Sequence, residues 1–88
     1  MNDYGADDGN VLGELILEVV DNQIRDLDPP ATKSTFDRLV QEGHSRNEAR
    51  RLIGCVVATE IFEVLKVKQP FDQKRFEEAL HKLPELPE

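Results

Sequence analysis

The segment from residue 46 to residue 67 carries apolar side chains around nearly the whole of its helical circumference. Its apolar residues are Ala49, Leu52, Ile53, Val56, Val57, Ala58, Ile61, Phe62, Val64 and Leu65. Its polar strip is narrow and consists of Glu48, Thr59, Glu63 and Lys66. A helix that is apolar on all sides packs against several neighbours at once. The segment therefore predicts a long central helix on which the remaining chain packs.

A first helix is predicted over residues 11–27, where apolar side chains recur at helical spacing. Their arc covers more than half of the circumference, which is wider than a surface helix needs. Asp21 and Arg25 are four residues apart and can pair on the solvent face. The preceding residues 1–10 are acidic and rich in glycine and asparagine, so they are predicted to form a flexible acidic N-terminal tail.

The second helix is predicted to be short. Pro29 and Pro30 stop the first helix and suit the first turn of the next one, because proline has no amide hydrogen to donate. Gly43 can close the second helix in a left-handed conformation. Ser45 and Glu48 then have the spacing of a capping box, which predicts the start of the third helix.

Pro70 ends the third helix, and Asp72 is predicted to cap a fourth that continues to about Leu83. Phe71 and Phe76 occupy the two positions of a hydrophobic staple. The final LPELPE is interrupted by prolines, so residues 84–88 are predicted to be an extended C-terminal tail. The prediction is an all-α fold: a compact bundle of about four helices, with a single helical domain at residues 11–83.

Composition limits the classes of function. The 88 residues carry a net charge of −7, and the acidic excess lies in residues 1–28. No apolar run is long enough to span a bilayer, and the N-terminus does not resemble a secretion signal, so a cytoplasmic location is expected. The single cysteine, Cys55, lies in an apolar segment and is predicted to be buried and inert. Two histidines and one cysteine at these spacings predict neither a metal site nor a cofactor.

The stretch EGHSRNEARRLIG, residues 42–54, has the pattern of a helix-turn-helix, with arginine and asparagine where a recognition helix meets DNA. Nucleic-acid binding is nevertheless not expected, because it depends on neutralising phosphates and this chain is acidic. The preferred interpretation is that this stretch only forms the turn between two helices.

The exposed polar and charged residues could also form a protein-interaction surface. Its candidate residues are Glu14, Glu18, Asp21, Arg46, Asn47, Arg50 and Arg51.

Glu60 falls within the apolar sector of the third helix, so its carboxylate is predicted to be at least partly buried. A buried carboxylate must be paired or protonated. The preferred interpretation is an ion pair with an arginine or lysine from another helix, or a side chain that reaches water. A catalytic acid or metal ligand is the alternative.

The run TFDRLVQEGHSRNEARRLIGCVVATEIFEVLK through PFDQKRFEEALHKLP resembles small bacterial helical modules of uncharacterised function, over about residues 32–84. The resemblance rests on the pattern of glycine, alanine and apolar positions, and it implies a bacterial source and an all-helical fold without implying an activity.

The sequence predicts a small non-enzymatic protein-interaction or assembly module. Its first and third helices have more apolar surface than four short helices can cover, which favours a protein partner or self-association, with a homodimer as the first expectation. A nucleic-acid-binding protein is one alternative, and a small metal- or carboxylate-dependent enzyme using Glu60 is another. No catalytic residue, small-molecule ligand or membrane association is predicted.

Overall fold

The computed structural model describes the backbone of residues 4–87 and the side chains of residues 11–87. That part of the chain contains no strand and forms four helices: α1 (Tyr4–Asp26), α2 (Pro30–Gln41), α3 (Arg46–Val67) and α4 (Gln73–Lys82). The predicted all-α bundle of four helices is therefore confirmed. No helix among the described residues is long and apolar enough to cross a membrane.

Helix α1 begins at Tyr4, seven residues before the predicted start at Val11. Most of the segment predicted as a flexible tail therefore has helical backbone, and its first three residues lie outside the described part of the chain. The sequence-based prediction rested on composition, because residues 1–10 are acidic, rich in glycine and asparagine, and carry few large apolar side chains. The helical backbone nevertheless extends back to Tyr4.

The two long helices both end in a left-handed residue that is not glycine. Leu27 follows α1 with a φ of 55°, and Lys68 follows α3 with a φ of 56°. A proline stands two positions later in each case, and the residue before a proline disfavours the helical region. Both helices thus end just before a proline, as the sequence predicted. The left-handed turn lies one residue before the position that directly precedes each proline.

The turn between α2 and α3 agrees closely with the prediction made from the sequence. Gly43 has a φ of 110°, and the Ser45 hydroxyl accepts a hydrogen bond from the Glu48 amide at 3.0 Å. The second half of the predicted capping box is absent from the described contacts. The Glu48 carboxylate instead lies 3.2 Å from Nδ1 of His44, so only the serine caps the helix.

Helix α4 also begins as predicted. The Asp72 carboxylate accepts from the Arg75 amide at 3.1 Å. The rings of Phe71 and Phe76 are 5.8 Å apart between centroids, which confirms the staple. Leu83, directly after the helix, is buried in the core.

The core forms where α2 and α3 meet the other helices, and each of these two contacts all three of its neighbours. Its buried apolar residues are Val20, Phe36, Leu39, Ala49, Ile53, Val56, Val57, Phe76, Leu80 and Leu83. Gly54 lies where α1 crosses α3. A Cβ atom added at Gly54 would stand 3.4 Å from Cγ2 of Ile16, an ordinary van der Waals distance, so α1 packs directly against this position of α3.

Polar contacts tie α2 to its neighbours. The buried Thr32 hydroxyl donates to the side-chain carbonyl of Gln23 on α1 at 2.9 Å. The Arg38 guanidinium donates to the carbonyl oxygen of Leu80 near the end of α4 at 3.1 Å, and the same oxygen accepts from the Leu83 amide. These bonds orient α2 relative to α1 and α4.

Three expectations need correction. Helix α3 is central only over its first half, because its C-terminal half exposes large apolar side chains. Cys55 is exposed, because it lines an open depression beside the α1–α3 crossing. Asp21 does not pair with Arg25: Arg25 bonds its neighbour Asp26, whereas Asp21 binds a residue of α3.

We expect Ser45→Ala to lower the free energy of unfolding by about 1 kcal/mol, because the Glu48 amide would lose its acceptor at the helix start. Urea denaturation measures this change. Ser34→Ala, within α2, is the matched control and should cost much less. Equal stability of Ser45→Ala and the parent chain would show that the cap contributes nothing.

Candidate functional site

The candidate site is an apolar groove between α1 and α4. Helix α4 packs on α2 and α3, and no contact between α1 and α4 is found among the described residues. The space between these two helices is therefore open to solvent and has α3 as its floor. Its volume is about 310 Å³.

We call this feature the α1–α4 groove, and its lining is almost entirely apolar. It consists of Val19, Gln23, Val57, Glu60, Ile61, Val64, Leu65, Phe71 and Phe76. Val57 and Phe76 belong to the buried core, whereas Ile61, Leu65 and Phe71 are 46%, 71% and 56% exposed. The groove is thus a continuation of the core to the surface. Such a patch is typical of a surface that another apolar surface covers.

Glu60 is the charged residue that lines the groove, and it is 7% exposed. The Arg75 guanidinium on α4 donates to both of its carboxylate oxygens, the shortest contact being 2.6 Å between Nη2 and Oε2. These hydrogen bonds raise the pKa of Arg75 above its usual value. The predicted ion pair with another helix is present in the structure. Both oxygens are hydrogen-bonded to the same guanidinium, which makes Glu60 part of the link between α3 and α4.

A line of exposed apolar side chains borders the groove along α1. Leu12, Leu15 and Val19 follow a spacing of three and four residues, which places them on one side of the helix. Their exposed fractions are 62%, 54% and 39%. We call these three residues the α1 ridge. Groove and ridge form one apolar face of the molecule.

Three of the seven residues predicted as an interaction surface, Asp21, Asn47 and Arg50, bind one another. The Arg50 guanidinium donates to both carboxylate oxygens of Asp21 at 2.8 and 2.9 Å, and to the side-chain oxygen of Asn47 at 3.0 Å. Its pKa is raised, chiefly by the hydrogen bonds to Asp21. Arg46 lies 5.1 Å above the ring of Phe36. These contacts of Arg50 and Arg46 join α3 to α1 and α2.

The remaining predicted surface residues lie elsewhere. Glu14 and Arg51 line a wider depression on another side of the α1–α3 crossing, where Cys55 is also exposed. Glu18 is exposed on α1. The seven residues therefore do not converge on one site.

No group of three or more histidine, cysteine, aspartate or glutamate side chains that could hold a metal ion occurs among the described residues. Comparison of the chain with protein-family models, curated proteins and solved structures finds no match.

The sequence indicated an excess of apolar surface without locating it. Periodicity identified Val19, Ile61 and Leu65 as members of apolar arcs, but it did not show which part of each arc the other helices cover. Phe71 was identified only as a staple residue. The signal for the groove was the width of the arcs on α1 and α3, and its position depended on α4 packing away from α1.

We expect Arg75→Met to destabilise the fold and the double variant Glu60→Leu/Arg75→Met to regain stability. The single change leaves a buried carboxylate unpaired, whereas the double change replaces the pair with apolar side chains. Urea denaturation of the two variants provides the comparison. Arg25→Met is the control, because its partner Asp26 is exposed. A double variant less stable than Arg75→Met would contradict this account.

We also expect duplex DNA to cause no mobility shift of this chain at low salt, because the net charge is −7 and the Arg50 guanidinium already binds Asp21. A gel shift titration with increasing salt tests this. Retardation that falls with salt and disappears in Arg50→Glu/Arg51→Glu would establish the nucleic-acid hypothesis instead.

Proposed function

We propose that the chain is a small non-enzymatic protein-interaction module that binds through the apolar face formed by the α1–α4 groove and the α1 ridge. The observation that carries this proposal is the exposure of six large apolar side chains that line the groove or belong to the ridge, with Val19 common to both. They are Leu12, Leu15, Val19, Ile61, Leu65 and Phe71. Isolated exposed apolar residues are common, whereas a contiguous set is typical of an interface.

The chemistry of the groove supports binding rather than catalysis. Glu60 is already satisfied by Arg75, and Gln23 accepts a hydrogen bond from Thr32. The remaining lining residues are apolar and offer no nucleophile or proton acceptor. Binding at this face would gain its free energy from removing apolar surface from water, at about 25 cal/mol per Å².

The test is a photocrosslinking amino acid placed at position 65 of the full chain in cells that express it. Leu65 is 71% exposed, so its replacement should leave the fold intact. We expect a crosslinked product of defined mass, whose second peptide is then sequenced by mass spectrometry. Position 86 is the matched control, because Leu86 is an exposed leucine that does not line the groove.

The yield of this crosslinked product should fall when the substitution Ile61→Glu is added, because a carboxylate would then lie in the groove wall. Absence of any product at position 65 beyond that at position 86 would overturn the proposed function.

A further inference from the structure

We propose that the partner is a second copy of this chain, and that the α1 ridge of each copy lies in the α1–α4 groove of the other. This inference rests on the proposed function and names its partner. The pairing is two-fold symmetric, so each copy contributes the same ridge and the same groove.

Shape is the first argument. The face contains a groove and, continuing from Val19 along α1, two exposed leucines that do not line it. A self-complementary interface needs two such different elements on each copy. Leu12 and Val19 are seven residues apart, so the ridge is about 10 Å long at 1.5 Å per residue. Val57 and Leu65 mark the groove floor on α3 and are eight residues apart, which gives about 12 Å. Ridge and groove therefore match in length.

Area is the second argument. The six exposed side chains of the face retain between 39% and 71% of their exposure. A half-exposed large side chain contributes on the order of 80 to 100 Å². Complete covering of these side chains in two copies would bury at most about 1,000 Å², so the groove walls and rim must supply the rest of the area that a specific interface needs.

Charge is the third argument. Two copies with a net charge of −7 each repel one another, so they can meet closely only where carboxylates are absent or paired. The ridge residues are uncharged, and the groove carboxylate of Glu60 is paired with Arg75. Glu14 and Asp21 project from the opposite flank of α1, and Glu18 lies at the outer edge of the ridge. The apolar face is thus suited to a partner that is itself acidic.

The experiment is sedimentation velocity of the purified full chain, from about 1 µM to several hundred µM. We expect a species of twice the 10.0 kDa chain mass. Leu65→Glu should weaken association by at least about a hundredfold in Kd, because a two-fold interface contains the substituted residue twice. Leu86→Glu adds the same charge outside the groove and should remain dimeric.

A mixing experiment tests the arrangement of the two copies. Leu15→Glu and Leu65→Lys should each be monomeric alone, since each places a charge in both halves of the interface. An equimolar mixture should restore a dimer. One of its two contacts then pairs the introduced carboxylate of the first variant with the introduced ammonium of the second, and the other contact keeps the native leucines. Circular dichroism and urea denaturation establish that both variants are folded.

The outcomes separate this inference from the proposed function. A parent chain that remains a monomer at several hundred µM, or dimers that persist in Leu65→Glu, would overturn pairing through this face. Growth beyond the dimer with concentration would contradict a closed two-fold arrangement. A position-65 crosslink to a different protein, with the purified chain monomeric, would retain the proposed function and exclude the second copy as its partner.

Discussion

The length of the helices is the constraint on which the structure depends. Helices α1 and α3 have 23 and 22 residues and are about 34 Å long, whereas α2 and α4 have 12 and 10 residues and are about 18 and 15 Å long. Two short helices cannot cover two long ones over their full length. The buried core therefore forms where all the helices overlap, and apolar residues beyond that region remain exposed.

Specific contacts decide where the short helices lie. Helix α1 packs against α3 at Gly54, and the Thr32–Gln23 hydrogen bond orients α2 on α1. The Glu60–Arg75 pair connects α3 to α4. A buried carboxylate is costly when unpaired, so this pair disfavours other positions of α4 on α3. These contacts hold α4 on α2 and α3 and away from α1, so the groove between α1 and α4 remains open.

Apolar surface at the groove and the ridge costs the isolated chain free energy that a partner would recover. An 88-residue domain buries only about 60 to 65% of the surface of its unfolded chain, so it has little stability to spare. Covering the apolar face would therefore affect both assembly and stability, which are coupled by mass action. The charged cluster around Arg50 contributes differently, because its hydrogen bonds join helices within one chain.

The sequence by itself determined the four helices, the prolines that end two of them, the caps at Ser45 and Asp72, and that a buried Glu60 needs either a charged partner or a proton. Each of these depends on residues within about four positions, or on the cost of burying a charge, so it can be inferred without knowing the fold. Only the tertiary structure decided that Arg75 is that partner, that Asp21 binds Arg50, and that Cys55 is exposed. It also decided which part of each apolar arc is covered, because coverage depends on how helices far apart in sequence cross and where the shorter ones end.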